Sequence, residues 1–118
     1  MSFDEEVERR ERDWAERASK AQAAAAQAYE RLVTLAERSD SGQIKRVAQF
    51  IASTFDGANF PFDLFELRSV DVEISDDMLV CLDALRWGKA DLWKLIPDGH
   101  DRILRLCEAW VIEWPEAT

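Results

Sequence analysis

The sequence predicts an all-α protein: a compact bundle of four to five helices with a long N-terminal helix. Three observations carry that reading. Four glycines and three prolines in 118 residues leave few turn formers for a β architecture. Apolar residues recur at intervals of three and four through most of the chain. The breakers Ser39-Asp40-Ser41-Gly42, Asp56-Gly57-Ala58-Asn59, Gly88 and Pro97-Asp98-Gly99 cut it into helix-length pieces.

The first helix is expected over residues 4–38. Asp4, Glu5 and Glu6 place acids at the positive end of its dipole. Five pairs follow with the acid four residues before the base: Glu5–Arg9, Glu6–Arg10, Glu8–Arg12, Asp13–Arg17 and Glu16–Lys20. Each supports an exposed helix by about 0.2–0.5 kcal/mol. Residues 21–28 are alanine apart from two glutamines, and alanine is the strongest helix former. Trp14, Ala18, Ala21, Ala25, Ala28, Leu32 and Leu35 repeat with heptad spacing, and the small residues permit close approach of another helix. Two readings stand. Either Trp14, Ala18, Ala21 and Ala25 form a self-association seam, or only Ala28 to Ala36 pack and the first turns are a solvated arm. The organisation that follows is a charged, Ala-rich helical arm, 1–27, and a helical bundle domain, 28–118.

The breaker at 39–42 ends this helix and caps the next, expected over 43–55 with Ile44, Val47, Ala48, Ile51 and Phe55 on one face. Phe60-Pro61-Phe62-Asp63 leads into a single turn through Leu67, with Asp63 as N-cap. Val70 to Ile74 alternate with Asp71 and Glu73, which fits a short extended piece. Ser75 is expected to cap the following helix, with Asp76 and Asp77 in its first turn and Met78, Leu79, Leu82 and Leu85 on its buried face. A short helix is expected within 89–96, and a last one from His100 to Glu113, stopped by Pro115.

A chain of this length buries enough surface for one real core. No apolar run reaches the roughly 20 residues that span a bilayer, and the charged N-terminus has no signal-peptide pattern. A cytoplasmic protein without membrane contact is expected. Cys81 and Cys107 are far apart in sequence and fall on apolar faces, so buried free thiols are expected.

Charge is unevenly placed. Between Asp56 and Asp83 lie eight acids and a single base, Arg68, so this stretch carries most of the net charge of −9. Such a field repels phosphate, which disfavours direct nucleic-acid binding, and attracts basic surfaces. Asp71-x-Glu73-x-Ser75 opens like a calcium loop, but the required glycine is Asp76 and the closing glutamate is Leu82, so no metal site is expected. His100 at a helix start has no nucleophile to serve, and no glycine-rich phosphate loop exists. No cofactor and no enzyme activity are expected. Phe55, Phe60, Phe62 and Phe65 stand among the acids. They either close the end of the bundle or form an aromatic–acidic protein-binding surface.

The quoted residues Ser41-Gly42-Gln43, Val47-Ala48-x-Phe50, Phe62-Asp63-Leu64, Val70-Asp71, Asp76-Asp77-Met78-Leu79 and Trp114-Pro115 resemble an uncharacterised family of short bacterial proteins, often carried on plasmids and integrative elements. The resemblance runs from about Ala28 to Pro115. The family pattern has Trp-Trp-Asn where this chain has Thr54-Phe55-Asp56, and Leu-Trp where it has Glu66-Leu67. It implies no activity. The expected function is a non-enzymatic interaction module of a mobile element. Asp63, Glu66, Asp71, Glu73, Asp76 and Asp77 would bind a protein partner with a basic surface, and the N-terminal helix would add a homodimer contact. The alternative is an acidic nucleic-acid mimic that inhibits a host DNA- or RNA-binding defence protein, such as a restriction or CRISPR effector. A metal-dependent hydrolase is the third class.

Overall fold

The structure is a computed structural model that describes residues 2–112. Those residues form four α-helices and two short 3₁₀ turns: α1 Phe3–Arg38, α2 Gly42–Phe55, α3 Val72–Leu85 and α4 Gly99–Ala109, with the turns at Leu64–Ser69 and Leu92–Leu95. No strand occurs among the described residues. The all-α bundle expected from the sequence is the fold.

α1 has 36 residues, about 54 Å at 1.5 Å per residue, and it sets the 56 Å long axis of the molecule. Ser2 caps it, its Oγ accepting from the Glu5 N–H at 3.2 Å. Two contacts fix how α1 meets α3. Arg31 forms a bidentate pair with Asp77, at 2.8 and 3.0 Å, and Arg17 lies over the Trp87 ring at 5.3 Å. Descending α1 therefore means ascending α3: the two helices are antiparallel. Ala18, Ala21, Ala25 and Ala28 lie between those contacts on α1, and Met78, Cys81 and Ala84 between them on α3, all buried. The heptad seam is thus filled by the chain's own α3 from Ala18 onward. Ala18, Ala21 and Ala25 are not open to a second copy; of the four residues expected to self-associate only Trp14, 56% exposed, remains outside. Packing also begins well before the 27/28 boundary, and the solvated part of α1 is 3–17.

Two expectations for α3 are corrected. The piece 70–74 is not extended: α3 begins at Val72, with Asp71 in the N-cap position. Val70 and Ile74 are four apart, a helical interval, and both pack on the core while Val72 points out. Ser75 is inside the helix and donates its hydroxyl to the Val72 carbonyl at 2.9 Å rather than capping. The buried face also differs. Leu79 and Leu85 are exposed, whereas Cys81 and Ala84 are buried. A close helix–helix approach buries small side chains and pushes large ones aside.

α4 ends at Ala109, four residues before the expected Glu113. Val111 adopts a left-handed φ of 56°, its N–H donates to the Glu108 carbonyl, and the Ile112 N–H donates to Cys107 at 2.7 Å. That is a Schellman closure with valine in the position glycine usually fills. Trp114 and Pro115 lie outside the described residues. Arg102, with only 12% of its side chain exposed, ties α4 to α1: it donates to Glu30 at 2.6 Å, to Glu37 at 2.8 and 3.2 Å, and to the Pro97 carbonyl at 3.3 Å. The guanidinium holds the Glu37 carboxyl below its ordinary range.

Both cysteines are buried and free. Burial pushes the Cys81 thiol up to about 12 from an ordinary 9.0, with Asp77 adding to the rise and Arg31 opposing it. Burial raises Cys107 and Tyr29 as well, the Tyr29 hydroxyl meeting Thr54 at 2.9 Å. The unfolded chain releases these protons first, so the folded state holds more protons above pH 9 and loses stability as pH rises. Cys81 alone is expected to contribute a progressive loss as pH rises from 9 towards 12. Urea midpoints measured across that range should fall, and Cys81→Ala should flatten the slope; parallel slopes in the two proteins would refute it.

Candidate functional site

The acidic stretch folds into three pieces: the loop after α2, the first 3₁₀ turn, and α3. Most of its carboxylates have partners. Asp56 accepts from the side chain of Asn59 at 2.7 Å and from its N–H at 3.2 Å, which lowers its pKa. Asp63 caps the 3₁₀ turn, accepting from the Phe65 N–H at 2.9 Å, as the sequence predicts. Glu66 is paired with Arg46, Asp77 with Arg31, and Asp83 with Arg86 at 2.7 Å. All three arginines come from outside the stretch, so nearly half of its excess charge is met locally. Asp71 accepts from Gln43 Nε2 at 3.1 Å while its own N–H donates to Gln43 Oε1 at 2.9 Å. That two-point clamp joins the start of α2 to the start of α3.

Glu73 and Asp76 make no ion pair or side-chain hydrogen bond among the described residues, and both are exposed. They sit in the opening turns of α3, where the helix dipole already favours negative charge. Exposed apolar side chains surround them in sequence: Leu64 and Phe65 on the 3₁₀ turn, 70% exposed in the case of Phe65, then Val72 and Leu79 on α3, 73% and 52% exposed. The Arg68 guanidinium lies over the Phe65 ring at 5.0 Å. Of the four phenylalanines, Phe60 is buried, Phe55 and Phe62 are half-buried and pack on the core, and Phe65 faces outward. Three of the four therefore pack into the bundle, and Phe65 alone of them lies on the surface.

The six acids expected to bind a partner do not make one open row. Glu66 and Asp77 hold arginines, Asp71 holds Gln43, and Asp63 caps a turn. What remains is a smaller surface, Glu73 and Asp76 beside exposed apolar groups. Periodicity alone could have found its apolar part, because Val72, Asp76, Leu79 and Asp83 recur at intervals of four, three and four.

Other features carry less. A groove of about 520 Å³ between α2 and the loop before the 3₁₀ turn is lined by Lys45, Arg46, Gln49, Phe62, Asp63 and Glu66. It is wide open, its charges are mixed, and its Arg46 is spent on Glu66. Phe55, Trp93 and His100 pack with ring centroids 5.5–6.0 Å apart and planes tilted 61–65°. The centre of that triangle lies only about 3.3 Å from each ring, inside van der Waals separation, so the rings fill the space a caged cation would need. His100 Nδ1 meets Asp101 at 3.3 Å, and no Ser, Thr or Cys hydrogen-bonds its ring among the described residues. Asp71, Glu73 and Ser75 occupy a helix start instead of a loop, and no group of three or more metal-ligating side chains is gathered among the described residues. Among the described residues no helix is long and apolar enough to cross a membrane.

No curated protein and no solved structure matches the chain. A family model does match, over residues 26–111, close to the span on which the resemblance was read. Its start falls within α1, after the first packed residues Ala18, Ala21 and Ala25, and it also leaves out the solvated turns 3–17. Over that span, nearly three-quarters of its length, the chain belongs to DUF7673, a family of unknown function.

Proposed function

We propose that this protein is a non-enzymatic interaction module of the cytoplasm, carried by a mobile element, that binds a protein partner with a basic surface. The binding surface is the first 3₁₀ turn with the opening turns of α3. The observation that carries this reading is the coincidence of unpaired acids, Glu73 and Asp76, with the exposed side chains of Phe65, Val72 and Leu79. Apolar groups supply binding energy at the centre of an interface, and the flanking charge selects the partner and speeds encounter. The acidic-mimic reading is supported less. A mimic needs a row of unpaired carboxylates, and here Arg31, Arg46 and Arg86 sit among them.

Glu73→Gln with Asp76→Asn tests the proposal without breaking a structural contact. Affinity purification from a native bacterial lysate should recover partners with wild type that are lost, or reduced about tenfold, with the double variant. Equal recovery by both baits refutes the surface. Displacement of those partners by nucleic acid, with binding that weakens steeply in salt, would instead move the mimic reading ahead.

A further inference from the structure

We infer that the outer face of α3 seats a basic amphipathic helix of the partner, an inference that rests on the reading above. The face is a stripe. Val72, Asp76, Leu79, Asp83 and Arg86 are all exposed and follow one another at intervals of four, three, four and three. Such spacing keeps them in line along a helix. From Val72 to Asp83 apolar and acidic side chains alternate, each kind repeating after seven residues, about 10.5 Å, and the basic Arg86 closes the stripe.

That pitch selects the occupant. A second helix crossing at a shallow angle presents its own seam at the same 10.5 Å repeat, so its apolar residues settle between Val72 and Leu79. An extended strand presents same-face residues about 6.6 Å apart and falls out of step within two contacts. It would also find no sheet edge to join among the described residues. The charge selects the sign. Asp76 lies on the stripe and Glu73 beside it, both without an ion pair among the described residues, while Asp83 already holds Arg86. Lysine or arginine on the incoming helix therefore pairs at the α2-proximal end of the stripe, near Val72, and apolar contact dominates at Leu79. A second copy of this chain is a poor occupant, since each copy brings a net charge of −9.

The test uses a synthetic probe: a leucine–lysine peptide about three heptads long with leucine at the two seam positions, and a scrambled peptide of the same composition. Binding is read by fluorescence anisotropy at fixed salt. Wild type should prefer the heptad peptide by about tenfold. Leu79→Ser should erase the preference, whereas Leu104→Ser, at an exposed apolar site on α4, should keep it. Glu73→Gln with Asp76→Asn should weaken both peptides, more so at low salt. Leu79 is half-exposed, so its replacement leaves no cavity, and a thermal melt confirms that each variant is folded. Equal binding of the two peptides overturns the inference, as does a preference that survives Leu79→Ser. A protein that sediments as a dimer and becomes monomeric on Leu79→Ser also overturns it, in favour of a second copy. Absence of any peptide preference in wild type, with acid-dependent partners still recovered from the lysate, would sink the helix and leave the acidic surface standing; absence of both would sink the two together.

Discussion

Ala25→Leu is expected to lower stability by about 3 kcal/mol and to leave the protein's mass in solution unchanged. Ala25 is fully buried, and it lies on α1 between Arg17, which stacks on Trp87, and Arg31, which holds Asp77. Those two contacts pin α1 to α3 on either side of it. A leucine needs the helices to part, and parting strains both. The alternative reading of the seam predicts the opposite sign, because leucine at a core heptad position strengthens a coiled coil. A thermal melt with sedimentation separates the two. A lowered Tm at monomer mass supports intramolecular packing; a raised Tm at twice the mass would return the seam to self-association.

The same residues show what was legible in the sequence. Alanine content, the acid-before-base pairs and the 39–42 breaker placed α1 and α2 within a residue of their ends. Asp63 is legible as a cap because capping is a local, short-range contact. The seam's spacing is legible too, but its partner is not, since heptad periodicity says that a stripe is covered and not by which helix. The face of α3 departs from its periodicity for a related reason. Leu79 and Leu85 look like core by bulk, yet the near approach of an alanine seam favours Cys81 and Ala84. Long-range pairing left no trace at all. Nothing near Glu66 or Asp77 in sequence announces Arg46 or Arg31, and nothing near Asp71 announces Gln43. A sum of charges over 56–83 therefore overstated the open acidic surface, and only the folded chain separates Glu73 and Asp76 from acids already engaged.

Gly99→Ala is expected to cost about 3 kcal/mol, although glycine to alanine inside a helix ordinarily stabilises. Gly99 opens α4, and a Cβ there would stand 1.8 Å from the Trp93 carbonyl oxygen and 2.8 Å from its carbon. Both are backbone atoms, so no side chain can swing aside. Neither partner is free to withdraw. Leu92 and Ile96 anchor the 3₁₀ turn in the core, the Trp93 ring packs against Phe55 and His100, and one turn further along α4 Arg102 is held by Glu30 and Glu37. Gly42 is the internal comparison. It also opens a helix, but nothing lies within 4 Å of its would-be Cβ, so Gly42→Ala should raise stability by about 0.5 kcal/mol through the unfolded chain's lost freedom. Urea unfolding of the two variants should therefore shift in opposite directions from wild type. If both shift upward, α4 does not approach the Trp93 backbone in solution, and the clamp at Arg102 must hold a looser joint than the structure describes.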